Sequence, residues 1–546
     1  MLEHEGPPVL PTRLVMLHDG RPQGDLGPWE TLDVRLVETS SIAQTFDDDV
    51  RYVALSHCWG SPDVAARMLQ TTTETIGAFS QSIPWGDLTK TFQDAMLVTK
   101  RLGIRYIWID SLCIVQDDAR DWAVEASRMA SVYANAYLTI SAMGATDGHQ
   151  GLYINTGSKP ILRRGVHEIK LPGLEYPIYV RSNEFHESAI SDPDLKPIEM
   201  PLLHRGWAFQ ERILSPFVLH FTESELIFED GRGRSSCECK ELDHYISGTP
   251  DRDWLFRTGD SSLDHMSWYG IVEEYASRLL TSEADRLPAL SGIATTFERQ
   301  LPALGSYLAG IWETDILGGL HWTMIGTVQP RLQPTLARGT LLSAPPTWSW
   351  ASVGSSNISW AEYDVPDCSL VDIISATCFP LTLDDKGMVA GGRITLRGRL
   401  CLATLDLSPH SSTTNAERYH YITLAGESLA NHEPPTFWPD VKLCSGGKQL
   451  PTVYFLPLSL RQFNFFEWDL FGLVLCRETE EVTATNRGEH SSKDTATFSR
   501  VGCAAMKIDS YVPLQFMDTP EAAPWFVEWR DTFFHNFGQE QVLAIV

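Results

Sequence analysis

The segment from Thr91 to Ala142, TFQDAMLVTKRLGIRYIWIDSLCIVQDDARDWAVEASRMASVYANAYLTISA, constrains the fold more than any other part of the chain. It places an amphipathic helix, an apolar strand, an acid-rich loop, a second helix and a second strand in about fifty residues. In Thr89–Leu102, Phe92, Ala95, Met96 and Thr99 share one helical face, and Gly103 suits the end of that helix. IRYIWID (104–110) has the texture of a strand buried on both faces of a parallel sheet. Asp117 or Asp118 can cap the next helix, which runs to about Asn135 with Trp122, Ala126, Met129 and Tyr133 as its apolar stripe. YLTISA (137–142) is the following strand, and RYVALS (51–56) is the preceding one. Strands alternating with helices over short connections predict a mainly parallel α/β sheet with covering helices.

The rest of the chain divides around this block. Residues 1–49 read as an extended lead-in with one strand candidate, Leu32–Val37. The α/β domain is expected over 50–230, with an insertion at about 145–200 that holds short strand candidates at 161–162, 168–171 and 178–181. Leu203–Leu214 has helical spacing, and His220–Glu229 reads as one strand behind it. Residues 231–340 form a mostly helical connecting region, including helix over 265–300. From 341 to 546, runs such as TWSWASV, GGRITLRGRL, PTVYFLPLSL and FGLVLCRE alternate with turns, the pattern of a β-rich C-terminal domain. TTNAERY and EEVTATNRGEHSSKDTAT are expected as exposed loops.

Charge excludes some functions. With 43 basic against 70 acidic residues the net charge is −27, a field that repels nucleic acid and anionic membranes and suits a cationic partner. No run approaches the roughly 20 apolar residues of a membrane span. The acidic, proline-broken start lacks a signal-peptide pattern, so the ten cysteines are expected as reduced thiols of a cytoplasmic chain. Cys237 and Cys239 form a CxC with no second pair at zinc spacing, so no metal is expected; a strand turning at a domain edge accounts for them. GxxxxGK[ST], GxGxxG and HExxH patterns are missing from the sequence, which argues against a P-loop ATPase, a Rossmann oxidoreductase and a zincin.

The polar candidates concentrate at the presumed strand ends. Glu125 lies about 60° from Trp122 and about 40° from Met129 around its helix, at the flank of the buried stripe. A carboxylate there can act as an acid, a base or an electrostatic stabiliser, or simply pair with Arg128 three residues on. Asp110 ends an apolar strand, where open α/β sheets present ligands; alternatively it caps the turn by accepting from the Ser111–Cys113 amides. His57, in HCWG after the first strand, faces the same edge, and with Cys113 it invites a Cys–His nucleophile reading. Core packing is the other reading of Cys113. In RGWAFQER (205–212), Trp207 and Phe209 suit the core, while Arg205, Gln210, Glu211 and Arg212 can form a network bridging this helix to the sheet; Arg212 could instead hold a phosphate or carboxylate.

YVALSHCWG (52–60), the block at 91–142 and RGWAFQERILS (205–215) together resemble the fungal heterokaryon incompatibility (HET) domain, over roughly residues 50–215. YASRLLTSEADRLPALSGIA (275–294), YLAGIW (307–312) and PTWSWASV (346–353) look like the usual continuation of such proteins. The resemblance implies nonself recognition and programmed cell death after fusion of unlike hyphae, with other HET or incompatibility proteins, or further copies of the chain, as partners. It also implies distant kinship to TIR domains, hence a TIR/flavodoxin-like sheet. Many TIR domains cleave NAD with a helix glutamate that follows a tryptophan, and DWAVE places Glu125 three residues after Trp122. On that likeness NAD is the candidate substrate, and no cofactor is assigned with certainty. Glu125, Asp110 and His57 would be catalytic, and Ser56, Trp59, Trp122 and Arg212 would line the binding site. Glu125 would stabilise an oxocarbenium-like ribose. His57 stands where the family's first block commonly has tyrosine. A non-enzymatic signalling module acting by self-association is the alternative, and a Cys113/His57 hydrolase is a third reading.

Overall fold

The structure, a computed structural model, describes residues 10–18, 32–42, 50–153, 166–169, 178–181, 200–222, 226–231, 234–237, 241–242, 264–325, 344–360, 368–382, 384–411, 418–425, 435–440, 452–462, 467–478, 495–509, 534 and 537–546. The chain forms two compact units. The first comprises residues 1–280 and 288–301, and the second 281–287 and 302–546.

The first unit is built on a nine-stranded sheet. In chain order its elements are β1 (Arg13–His18), β2 (Asp33–Glu38), α1 (Thr39–Ile42), β3 (Tyr52–Ser56), α2 (Pro62–Ala65), α3 (Ile76–Phe79), α4 (Lys90–Arg101), β4 (Tyr106–Trp108), α5 (Asp110–Cys113), α6 (Ala119–Asn135), β5 (Leu138–Ser141), β6 (Val166–Ile169), β7 (Ile178–Arg181), α7 (Gly206–Ile213), β8 (Phe217–Phe221), β9 (Leu226–Asp230), β10 (Ser235–Cys237), β11 (Glu241–Leu242), α8 (His265–Ala276) and α9 (Pro288–Gln300). β6 and β7 form a separate antiparallel pair within the expected insertion. The main sheet runs β11-β10-β9-β8-β5-β3-β4-β1-β2. Its four central strands, β8, β5, β3 and β4, are mutually parallel. Their order is that of a flavodoxin-type doubly wound sheet. β3, β4 and β5 are buried at every position, which is why their sequences are apolar without alternation.

Antiparallel strands close both sides of this core. β1 pairs with β4 and carries β2 outside it, so the stretch read as a lead-in supplies two strands of the sheet. At the other end the single strand expected over 220–229 is two strands, β8 and β9, paired antiparallel. The helix expected over 265–300 is also two, α8 and α9. The strand expected over 104–110 is shorter, and Asp110 opens the one-turn helix α5. Helix α4 buries Phe92, Ala95, Met96 and Thr99 as their spacing predicts, and Gly103 follows it at φ +76°. The Asp118 carboxylate caps α6 by accepting from the amides of Arg120 and Asp121.

α9 packs against α6 and α7. The contact is close because position 292 is glycine: a Cβ there would stand 2.1 Å from the Ala130 Cβ. The Gly292 amide donates to Gln210 Oε1 at 2.8 Å, which ties α9 to α7.

The second unit is β-rich. Strands Val453–Gln462, Cys401–Ser411, Arg418–Leu424, Thr436–Pro439, Ala496–Asp509 and Glu467–Arg477 pair in that order and return to the first, closing a six-stranded antiparallel barrel. Glu540–Ile545, Val389–Arg399 and Asp372–Pro380 extend it from Ala496–Asp509. Phe437, Phe455, Trp468, Leu470 and Val474 lie fully buried in its core. TWSWASV is not a strand: Trp350–Val353 is a 3-10 turn, and Trp348 and Trp350 are wholly buried beside it. Arg500 donates to Asp440 at 2.6 Å and to the Trp322 carbonyl at 2.6 Å, with its guanidinium 3.5 Å over the Trp322 ring. The loop expected at 480–497 falls mainly outside the described residues, as do the strand candidate at 161–162, most of TTNAERY and Cys239.

Candidate functional site

In a doubly wound sheet, ligands bind at the carboxyl ends of the two strands between which the winding direction reverses. Here those strands are β3 and β5, and Ser56 pairs with Ser141 at their ends. Above them sits α7, whose eight residues are all buried. The Ser56 hydroxyl donates to Glu211 on α7. The Tyr133 hydroxyl of α6 donates to the Leu55 carbonyl at 3.0 Å and stands within hydrogen-bonding reach of Glu211. Burial pushes the Glu211 carboxyl up to about 7; Arg205 and the Ser56 and Tyr133 hydroxyls oppose that shift, and Asp110 adds to it. A carboxyl with that value is near half protonation at neutral pH.

A second layer lies beside it. Asp110 Oδ2 accepts from Trp59 Nε1 at 2.8 Å, and Oδ1 accepts from the Ser111 amide at 2.7 Å, the turn-capping bond foreseen for it. His57 Nδ1 is 3.8 Å from Asp110 Oδ1. Burial pushes the His57 imidazole down to about 4, against the pull of Asp110 and with the help of Arg205, so the ring is neutral. Its edge meets the Phe92 ring at 5.1 Å, and its Nε2 has no hydrogen-bond partner among the described residues. Arg205 donates to the His57 carbonyl and approaches Asp110 Oδ2 to 4.0 Å. Ser56, His57, Trp59 and Asp110 thus lie together, joined by Arg205 and Glu211.

Arg212 lies behind this group. Its Nε donates to Glu229 at 2.9 Å, and His220 Nε2 meets the same carboxylate at 2.9 Å. Ser56, Ser141, Arg212, His220, Leu202 and Leu203 line a cavity of about 10 Å³, room for about one water molecule. Small-molecule sites usually occupy about 300 Å³ or more, so the crevice is closed in this form.

Glu125 is elsewhere. It is 2% exposed, within the buried stripe of α6 rather than at its flank. One of its carboxylate oxygens accepts from Thr12 at 2.5 Å and lies 3.9 Å from Arg128, which itself donates to Thr12 at 2.7 Å. Next to Thr12, Arg13 donates to the Cys113 carbonyl at 2.7 Å and to Asp121 at 2.5 Å. The region before β1 therefore covers this carboxylate. Trp122 is half-buried on the same helix. Glu125 and Trp122 belong to the β1 side of the sheet, whereas His57 and Asp110 belong to the β3/α7 crevice. Burial pushes the Cys113 thiol up to about 12, so it supplies no thiolate near neutral pH, as the Cys–His reading requires.

Sequence reasoning placed Glu211 in a polar network but not at the centre of the site. The signal that could have found it was topological: the end of the first central strand, Ser56, faces the helix that leads into the fourth. Thr12 and Arg13 carried no such signal. Among the described residues no group of three His, Cys, Asp or Glu side chains stands in a metal-holding arrangement, and no helix is long and apolar enough to cross a membrane.

Residues 52–211 match the model of the family described as heterokaryon incompatibility protein (HET). The match begins at the first residue of β3 and ends at Glu211. No curated protein matches the chain. No solved structure matches it either.

Proposed function

We propose that the chain, which carries a HET domain over residues 52–211, is a fungal incompatibility factor whose output is death of cells formed by fusion of unlike partners. The family match carries this reading: a HET domain points to an incompatibility-type function. The module works in the cytoplasm as a signalling element, by self-association or by pairing with another incompatibility protein. A closed crevice and a covered Glu125 favour this reading over a constitutively open enzyme. The net charge of −27 suits a partner with a basic surface. Regulated expression of the full chain in filamentous hosts of differing compatibility type tests the proposal. Growth arrest in some backgrounds is expected, and arrest should survive Glu125→Gln. Unchanged growth in every background would remove it.

TIR-like cleavage of NAD is the second reading. The observation that favours it is the gathering of Ser56, Asp110, Arg205 and Glu211 at the reversal point, where α/β folds hold nucleotides. On this reading Glu211 is a better placed carboxylate than Glu125. Nicotinamide release by the purified chain, with Glu125→Gln and Glu211→Gln alongside, separates the two. Release unchanged in both variants excludes both carboxylates, and no release in any assembly state excludes the chemistry.

A further inference from the structure

We propose that Glu211 is a proton-operated latch: neutral, it ties β3 to α6 and α7 and holds the crevice over β3 and β5 shut; ionised, it loosens α7. The geometry carries this. Glu211 is 2% exposed and sits where three elements meet, with the Ser56 hydroxyl donating to it from β3 and the Tyr133 hydroxyl beside it on α6. The Tyr133 hydroxyl is shared between the Leu55 carbonyl and Glu211, so the carboxyl bridges α7 to α6 as well as to β3. The Tyr133 and Ser56 hydroxyls favour ionisation, but an ionised Glu211 needs more solvation than the closed crevice offers, since the adjoining cavity holds about one water.

The surrounding groups do not replace that solvation. Arg205 is the nearby cation, and it is shared between the His57 carbonyl and Asp110. Asp110 on α5 opposes ionisation. Cys58, just beyond β3, is held as a neutral thiol by burial. His204, in the turn before α7, is pushed toward its neutral form by burial and by Arg278. Arg212, the next residue on α7, is engaged by Glu229. The buried residues of α9, Ala289 to Ala294 and Phe297, carry no charge. Ionisation therefore favours a state in which α7 lifts and water enters.

Hydrogen–deuterium exchange of the full chain at about pH 6 and about pH 8, corrected for intrinsic rates, tests the latch. With the folded carboxyl at about 7 and an ordinary one at 4.5, opening should become about tenfold more favourable across that interval. Peptides covering 201–214 should lose protection accordingly, while those covering the 467–477 barrel strand stay unchanged. Glu211→Gln should abolish the difference. Ser56→Ala removes a donor to the carboxylate and should move the transition to higher pH; it also serves if Glu211→Gln does not fold. Equal pH dependence in wild type and Glu211→Gln would overturn the proposal, as would loss of protection spread evenly into the barrel or a Ser56→Ala transition at unchanged pH.

Discussion

Glu125 and Glu211 are two carboxylates of one unit, both on helices and each 2% exposed, yet they stand in different chemistry. Glu125 lies on the β1 side, sealed by Thr12 and approached by Arg128. Glu211 lies over the point where the winding of the sheet reverses, among hydroxyls, with a shared arginine and a neutral histidine nearby. Burial is the same for both; position relative to the strand ends, and the kind of partner, differs.

The sharpest way to break this comparison is at Arg13. Arg13→Ala removes the bond to the Cys113 carbonyl and leaves Asp121 without its cation, at a cost of about 4 kcal/mol if the pair behaves as a buried one. A urea titration should show the loss, and exchange should rise in α6 before α7. Little change in the urea midpoint would place the Arg13–Asp121 contact in a looser setting than the structure gives it.

Next comes the Glu211 carboxyl itself. The native state holds it neutral up to about 7, whereas an unfolded glutamate ionises near 4.5. Its contribution is therefore complete below 4.5 and is lost as pH rises toward 7, about 3 kcal/mol in all. Glu211→Gln, which cannot ionise, should be more stable than wild type by about that much at pH 8 and no more stable at pH 4. His57 works in the opposite sense. Held neutral down to about 4 against an ordinary 6.5, it loses stability as pH falls through that interval, by a similar amount of about 3 kcal/mol. The two slopes offset each other, so wild-type stability should owe little net pH dependence to this pair between 4 and 7. Glu211→Gln should expose a slope that rises with pH, and denaturation midpoints across the range would reveal it.

Smaller effects sharpen the contrast further. Asp118→Ala removes the α6 cap and should cost about 1 kcal/mol, with the exchange change confined to the first turns of α6. Arg128→Ala should cost only a few tenths of a kcal/mol, because its side chain is 54% exposed and 3.9 Å from Glu125. A larger loss in a thermal melt would make that pair a principal anchor of Glu125.

Much of the central sheet was legible because both of its periodicities are written in the residues. Tyr52–Ser56 and Leu138–Ser141 are continuous apolar runs, and Phe92, Ala95, Met96 and Thr99 keep helical spacing. The Asp110 turn bond and the Asp118 cap were legible from residue type and place. What lay hidden was long-range. Arg13 meets Asp121 across 108 positions, and Ser56 meets Glu211 across 155, and no local pattern records such pairings. Glu125 falls at the flank of a stripe drawn through Trp122, Ala126, Met129 and Tyr133. Trp122 is only half-buried, and the buried face is centred instead on Glu125, Met129, Val132 and Tyr133. TWSWASV has strand-like composition, but its tryptophans point into a turn-built pocket: Trp350 Nε1 donates to the Gly310 carbonyl at 3.0 Å.

Helix α9 gives the chain an unusual genetics. Residues 281–287 belong to the second unit, 288–301 to the first, and 302 onward to the second again. A stop codon anywhere between 243 and 287 would spare every strand of the main sheet yet remove the helix that Gly292 seats against Ala130 and Gln210. An expression clone trimmed to the matched residues 52–211 would fare worse, lacking Arg13 and its strand as well. Truncation alleles in this gene should therefore read as loss of the whole module, and the smallest clone worth making reaches past residue 301.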